Sequence, residues 1–148
     1  MKRHFALSAG ARRALAGGRA VAGATNAATI QPAHILAGIL DQRPTRVLRL
    51  LNQLKCDPAE LTRALADVTG PRRPPPPATG PRLTYSGASK QVIVRAQKEA
   101  ATQSSPEFEV EDLLVALALS HEEPVAALLS SHGITADGLR AAREDSAA

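Results

Sequence analysis

The sequence predicts an all-α protein of two tandem four-helix repeats that pack together with pseudo-twofold symmetry. Apolar residues make up 44% of the 148 residues and aromatic residues only 2%. The core must therefore consist of Ala, Leu, Val and Ile, which suits closely packed helices. The chain also resembles itself when it is shifted by 78 residues, and each copy carries signals for four helices. One copy is too small to hide its apolar faces, so we expect the two copies to share a core.

The internal duplication follows from an alignment that needs no gap. Ser8 falls on Ser86, and apolar residues fall on apolar residues through the rest of the copy. Chance does not preserve apolar identity at so many positions. The matched pairs are Leu15 and Ile93, Ala22 and Ala100, Ile30 and Phe108, Ile35 and Leu113, Leu36 and Leu114, Ile39 and Leu117, Val47 and Val125, Leu50 and Leu128, Leu51 and Leu129, Cys56 and Ile134, and Leu61 and Leu139.

The first two helices of each copy are predicted from a cap and an apolar run. Ser8 and Ser86 are good N-cap residues, and apolar residues follow them at helical spacing. The second helix begins near Pro32 in the first copy and near Val110 in the second. It is short and strongly apolar, which predicts a buried position.

The last two helices of each copy are predicted from prolines and polar caps. We expect the third helix to begin at Pro44 or Pro124, because proline is favoured in the first turn. Gly133 is expected to close it in the second copy. The fourth helix is expected to follow the N-cap residue Asp57 or Thr135.

A proline-rich stretch separates the two copies. Residues 70–82 read GPRRPPPPATGPR, and the consecutive prolines Pro74 to Pro77 exclude a helix or the interior of a sheet. We expect a semi-rigid extended connector, and a ligand for an SH3-like domain is the alternative. The predicted organisation is a first repeat at 1–69, a linker at 70–82 and a second repeat at 83–148, which together form one domain.

The charge is divided unevenly between the copies. Residues 1–69 carry a net charge of +6, residues 70–82 add +3, and residues 83–148 carry −5. A basic half is compatible with nucleic acid, with an acidic protein, or with the acidic half of the same chain. The simplest interpretation is a solvated surface with two biased halves.

The expected compartment is the cytoplasm. A single cysteine excludes an internal disulfide, which makes a reducing compartment the default, and no apolar run approaches the length of a membrane span. The basic N-terminus lacks Asp and Glu up to Leu40, as in an organellar transit peptide. The repeat uses this segment as a structural helix, which argues against its removal.

The duplicated pattern resembles the double Clp repeat, the N-terminal domain of Clp-type AAA+ unfoldases. The serine-led first helix is followed by PAHILAGIL (32–40) and VEDLLVALA (110–118), which are similar to the second helix of that family. The segments VLRLLNQLKCDPAEL (47–61) and VAALLSSHGITADGL (125–139) also resemble the family's ends of repeats. The resemblance covers roughly residues 5–143, and two copies in order make it fairly specific.

The resemblance implies an all-helical, non-catalytic protein-binding domain with no cofactor. In the unfoldases this domain contacts substrates, adaptors and, in some members, phosphorylated arginine. The chain has no GxxxxGK[ST] phosphate loop and so is not the ATPase motor. It is either an excised domain or a stand-alone protein, and Met1 and the complete repeats favour the second.

The chain departs from the family at the implied ligand site. Members that bind phosphoarginine have a Glu before the second-helix His of each repeat, and here Ala33 and Glu111 occupy these positions. Half of the acidic site is missing, so we expect at most weak binding of arginine-bearing peptides through Glu111. The family often has Phe near the start of each repeat, where this chain has Leu7 and Tyr85.

The remaining candidate residues are better explained by structure than by catalysis. His34 aligns with Asp112, and a polar residue that recurs at a second-helix N-terminus is expected to be a hydrogen-bonding or capping group. The predicted partner-binding set consists of six residues: Leu7, Ala33, His34, Tyr85, Glu111 and Asp112. Cys56 aligns with Ile134 and is expected to be a buried, inert thiol. The four histidines lack metal-ligand spacing, so no metal is predicted.

Three function classes follow, in decreasing order of support. The first is an adaptor, decoy or regulator in a Clp chaperone–protease system, which binds a Clp unfoldase or its substrates and adaptors. The alternative is a basic helical nucleic-acid-binding protein, disfavoured because aromatic stacking residues are scarce. An enzyme has the least support, because no nucleophile, base or metal set is assembled.

Overall fold

A computed structural model describes residues 6–73 and 83–147, and the described residues form eight helices. None of these helices is long and apolar enough to cross a membrane. The helices are α1 (Ala9–Ala24), α2 (Pro32–Gln42), α3 (Thr45–Gln53), α4 (Pro58–Thr69), α5 (Gly87–Thr102), α6 (Val110–Leu119), α7 (Val125–Ser131) and α8 (Ala136–Ala147). The all-α, duplicated fold predicted from the sequence is confirmed. The prediction for Pro74 to Pro77 lies outside the described residues.

The polar caps predicted for the helices are present. The Ser8 hydroxyl accepts a hydrogen bond of 3.1 Å from the Ala11 amide, and the Ser86 hydroxyl accepts one of the same length from the Ser89 amide. Asp57 caps α4 through a 3.0 Å bond from the Ala59 amide. Each cap satisfies an amide that the first helical turn leaves without a partner.

The prediction that α3 and α7 begin at a proline was wrong by one residue. Pro44 and Pro124 lie at the N-cap, and the helices begin at Thr45 and Val125. The Pro44 carbonyl accepts a 3.0 Å hydrogen bond from the Leu48 amide, and the Pro124 carbonyl accepts one of the same length from the Leu128 amide. Both prolines thus contribute to the first helical turn without being part of the helix. Gly133 follows α7 with φ of 74°, as predicted for a residue that closes a helix.

Helices α2 and α6 form the centre of the molecule. Every residue from Pro32 to Leu40 is buried, and so is every residue from Val110 to Leu117. The core side chains include Ile35 and Leu36 of α2 and their equivalents Leu113 and Leu114 of α6. The two central helices therefore place their N-termini, which carry the candidate site residues, at fixed positions in the core.

The two repeats exchange equivalent backbone contacts. Leu7 forms a parallel bridge with Phe108, and Tyr85 forms one with Ile30. Because Leu7 is equivalent to Tyr85 and Ile30 to Phe108, each contact is the pseudo-twofold image of the other. Both contacts use two backbone hydrogen bonds of 2.9–3.1 Å. This reciprocity is direct structural evidence of the pseudo-twofold symmetry.

Helices α1 and α2 approach more closely than a side chain at Gly38 would allow. A Cβ at Gly38 would lie against the Gly18 amide nitrogen and 2.5 Å from the Ala14 carbonyl oxygen. The second repeat has Ala116 at the position equivalent to Gly38. Gly38 thus allows the close contact of α2 with the backbone of α1.

Candidate functional site

His34 and Asp112 have the same hydrogen-bonding role in the two repeats. The Gln31 amide donates to His34 Nδ1 at 2.8 Å, and the Glu109 amide donates to Asp112 Oδ2 at 2.7 Å. Each side chain satisfies the amide of the residue that precedes its helix. His34 Nδ1 must be unprotonated to accept this bond, and burial lowers the pKa of the imidazole. The expectation that His34 is a capping group is confirmed.

The surroundings of these two caps differ in charge. Asp112 is completely buried, and its Oδ1 forms a 2.6 Å ion pair with Arg143 Nη1 of α8. The position equivalent to Arg143 in the first repeat is Leu65, which is buried. The second repeat therefore holds a buried ion pair where the first repeat has a neutral imidazole and an apolar side chain.

Glu111 is a buried carboxylate that lacks a complete set of partners. The residue is 5% exposed, and no hydrogen bond reaches its Oε1 atom. The nearest cation is Arg46 of α3, whose Nη1 lies 3.6 Å from Glu111 Oε2 and 3.9 Å from Glu109 Oε2. An arginine of the first repeat thus partly neutralises the acidic N-terminus of α6.

The equivalent region of the first repeat is an open pocket of about 400 Å³, here named the first-repeat pocket. It combines the N-terminus of α2 and the end of α4 with the segment before α7. Ala33 and His34 of the first repeat line it together with Glu122 and Glu123 of the second. Val68 also lines it. Among the described residues, Val68 is the large apolar residue that is exposed, with 42% of its surface accessible. The pocket therefore has a mixed lining, in which Val68 is the exposed apolar side chain and Glu122 and Glu123 form an acidic edge.

The six predicted site residues fall into three groups. Ala33 and His34 line the first-repeat pocket, and Glu111 and Asp112 occupy the equivalent place in the second repeat. Leu7 and Tyr85 lie instead in the bridges between the repeats.

Tyr85 has further contacts that hold it outside the pocket. The Arg19 guanidinium lies 5.5 Å from the centre of its ring, and Arg19 Nη1 also donates to the Leu83 carbonyl at 2.5 Å. A cation over an aromatic ring is a stabilising arrangement. The structure thus gives Tyr85 a role in joining the repeats, and it does not bring the six residues into one site.

Sequence reasoning missed Val68 and Glu122 as lining residues of the pocket. Val68 continues the helical spacing of Leu61 and Leu65, which would ordinarily predict burial, but α4 ends at Thr69 and leaves the side chain uncovered. Glu122 belongs to the opposite repeat, and no local motif connects it to Ala33. Only the three-dimensional packing of the repeats brings them together.

Cys56 has the environment expected of an inert thiol. It is buried, and its pKa is raised chiefly by desolvation, with smaller contributions from the charges of Asp57 and Glu60. A thiol with a raised pKa carries little thiolate at neutral pH. Among the described residues, no group of three or more His, Cys, Asp or Glu side chains has an arrangement that could hold a metal ion.

Several basic side chains are paired within the chain. Arg72 binds Asp41 through two hydrogen bonds of 2.6 and 3.2 Å, and Arg140 binds Glu99 through two of 2.8 and 3.0 Å. Of the described ion pairs, the contact of Arg46 with Glu109 and Glu111 is the one that joins the basic first repeat to the acidic second repeat. It places this complementation of charge at the candidate site itself.

Known structures share this fold over nearly the whole chain. A structure from a malarial protein secretion system has a TM-score of 0.78 with 20% identity, and the match covers 95% of this chain and 93% of that one. The Hsp104 N-terminal domain from Candida albicans gives 0.73 with 16% identity, covering 93% and 89%. The N-domain of ClpV from Vibrio cholerae gives 0.72 with 17% identity, covering 91% and 81%.

The chain has a duplicated, all-helical fold, in which the N-termini of the equivalent helices α2 and α6 carry the candidate site residues. The sequence matches the model of the Clp repeat N-terminal domain over residues 6–132. The chain belongs to the Clp repeat N-terminal domain family, as the sequence resemblance predicts.

Proposed function

We propose that this chain is a non-catalytic protein-binding module that acts as an adaptor, decoy or regulator of a Clp-type chaperone–protease system. Its partners are a Clp AAA+ unfoldase or the protein substrates and adaptors of that unfoldase. The observation that carries this proposal is the first-repeat pocket, which is open, partly apolar and formed by both repeats. Family membership gives the class of partner, and the pocket supplies a surface that such a partner can contact.

Arginine-bearing peptides are a secondary ligand class in this proposal. Glu111 keeps one carboxylate of the implied guanidinium site, whereas Ala33 removes the other. Arg46 already lies beside Glu111, so an incoming arginine must compete with an arginine of the same chain. We therefore expect this binding to be weak.

Nucleic acid is the less favoured partner class in this proposal. In the basic part of the chain, Arg46 and Arg72 lie within 4.0 Å of carboxylates of the same chain, which lowers the positive potential that phosphates would meet. We propose a cytoplasmic location, where Clp-type unfoldases meet their substrates.

The proposed function is tested with a purified Clp unfoldase–protease pair and a fluorescent substrate protein. An adaptor raises the initial rate of degradation of its substrate, and a decoy or inhibitor lowers it, in proportion to the concentration of this chain. Affinity capture of the tagged chain from source cells, with the tag alone as control, identifies the Clp subunit or substrate to use. A degradation rate that is independent of the chain, with no Clp subunit or substrate enriched, contradicts the proposal.

A further inference from the structure

We propose that the first-repeat pocket receives an apolar side chain followed by a lysine or arginine, presented by a peptide segment of a partner protein. This inference rests on the proposed function, because it names the kind of segment that the protein-binding module recognises. It is carried by the exposed Val68 side chain in the pocket lining, by the acidic edge and by a comparison with the pseudo-equivalent site.

The lining of the pocket accounts for the apolar side chain. Val68 supplies an exposed isopropyl group, whereas Pro32, Ala33 and Val125 line the pocket but are themselves buried. A volume of about 400 Å³ accommodates one or two side chains of a peptide. Contact with a leucine-sized group would remove Val68 from water, which favours association in proportion to the apolar area buried.

The edge of the pocket accounts for the positive charge. Glu122 and Glu123 line the pocket, and no lysine or arginine is among its described lining residues. Glu123 accepts a 3.2 Å hydrogen bond from the Ala127 amide, while the Glu122 carboxylate has no ion-pair partner within the described ranges. Glu122 is exposed, so a cation that follows the apolar side chain would gain a modest attraction that weakens as salt is raised.

The N-terminus of α2 is a poor anion site, so it does not counteract the preference of the pocket for a positively charged ligand. A helix N-terminus attracts anions through its free amides. Here the first residue is Pro32, which has no amide hydrogen, and the His34 amide already donates to the Gln31 carbonyl at 2.9 Å. An anionic segment therefore gains little at α2 and meets repulsion from Glu122 and Glu123.

At the equivalent site of the second repeat, a cation of the same chain already lies beside the acidic side chains. Arg46 is the pseudo-equivalent of Pro124, and its guanidinium approaches the carboxylates of Glu109 and Glu111. At the first-repeat pocket the acidic side chains, Glu122 and Glu123, belong to the second repeat and precede α7, and Pro124 supplies no cation. The chain thus fills one site with its own arginine and leaves the other without one, which is why we assign the cation of the first-repeat pocket to a partner.

The proposal is tested by fluorescence anisotropy with labelled nonapeptides that carry Leu-Lys-Arg, Leu-Glu-Glu or Ser-Lys-Arg in a Gly/Ser background. The Leu-Lys-Arg peptide should bind best, and its affinity should fall as salt is raised. Val68→Ser and Glu122→Gln should each weaken it by about three- to fivefold. Glu107→Gln, which removes an exposed charge outside the pocket, should stay within about twofold of the unchanged protein.

Three outcomes overturn the inference. The first is no binding of the Leu-Lys-Arg peptide up to about 1 mM. The second is equal binding of the Leu-Glu-Glu peptide, or indifference to Val68→Ser and Glu122→Gln in variants with unchanged circular dichroism. The third is a dimer in sedimentation analysis that Val68→Ser dissociates, because a second copy of the chain would then cover the pocket.

The test separates this inference from the proposed function. Pocket variants that alter degradation by the Clp pair but not peptide binding overturn the inference and leave the function standing. Pocket-dependent peptide binding without any effect on degradation contradicts the function and supports the inference.

Discussion

The guanidinium of Arg46 lies 3.6 Å from the carboxylate of Glu111, so a residue of the first repeat partly neutralises a buried charge of the second. The Arg46 side chain is 69% exposed, whereas that of Glu111 is 6% exposed. The pair is therefore asymmetric, because the carboxylate is largely buried and the guanidinium is solvated. Without Arg46, the Glu111 carboxylate would lose the counter-charge that lies within 4.0 Å of it.

A double-mutant cycle measures this relationship. For Arg46→Ala and Glu111→Gln we expect a coupling free energy of about 0.5–1 kcal/mol in urea unfolding, because the arginine is solvated and its attraction is screened. The coupling should shrink as ionic strength rises. Arg49→Ala, in the same helix, should show no coupling with Glu111→Gln, and a coupling of zero for Arg46 would contradict the contact.

Removal of the buried partner of Arg143 should be much more costly. Asp112→Ala deletes both the acceptor for the Glu109 amide and the 2.6 Å ion pair with Arg143, which leaves a guanidinium that is largely buried without its counter-charge. We expect a loss of about 3 kcal/mol in the free energy of unfolding. Asp112→Asn keeps an acceptor oxygen for the amide and should lose less. Equal stability of Asp112→Ala and the unchanged protein would exclude a structural role for this side chain.

His34 should make stability depend on pH in the mildly acidic range. Burial lowers the pKa of the folded imidazole, so the folded state binds fewer protons than the unfolded state. The contribution of His34 is therefore complete above the unfolded pKa of about 6.5 and is lost as pH falls through the lowered folded value. Protonation also removes the acceptor that Nδ1 offers to the Gln31 amide.

The measurement is the free energy of unfolding of the unchanged protein and of His34→Gln between pH 8 and pH 5. The difference between the two proteins should narrow as pH falls, because glutamine does not titrate. His121 and His132 are present in both proteins and cancel in the comparison. A difference that is constant with pH would show that His34 does not titrate with the predicted linkage.

Substitution of two glycines by alanine should have opposite effects on stability, because only one of the glycines lies at the close contact between α1 and α2. Gly38→Ala would press a methyl group into the backbone of α1 and should cost about 2 kcal/mol or more. Gly23→Ala adds a methyl group that meets nothing within 4 Å, and should stabilise α1 by about 0.5–1 kcal/mol. Thermal unfolding of both variants checks the signs, and a stabilising Gly38→Ala would contradict the tight helix contact.

The fold was predictable because its determinants are local or repeated. Ser8, Ser86 and Asp57 mark helix starts by their side-chain chemistry alone, and the 78-residue shift identifies the shared core without any structure. The capping role of His34 was predictable for the same reason, since Asp112 recurs at the equivalent position. One-residue errors at Pro44 and Pro124 arose because proline suits both the N-cap and the first turn.

The candidate site was less predictable because its contacts join distant parts of the chain. Arg46 reaches Glu111 from the other repeat, and Glu122 faces Ala33 across the boundary between the repeats. No spacing in the sequence encodes such pairs. The family resemblance predicts that Leu7 and Tyr85 belong to the binding set. In the structure they pair through their backbones with Phe108 and Ile30, and a pattern of side chains in the sequence does not reveal backbone pairing.

The reciprocal bridges of Leu7 with Phe108 and of Tyr85 with Ile30 have the geometry of an isologous homodimer. Each half gives the other the same pair of elements that it receives, as two identical subunits do across a twofold axis. Joining the halves in one chain replaces a concentration-dependent association with an intramolecular one, at an effective concentration in about the millimolar range. Once the halves are joined, their sequences are free to diverge, and one half can keep an open pocket while the equivalent site of the other half receives an arginine from its neighbour.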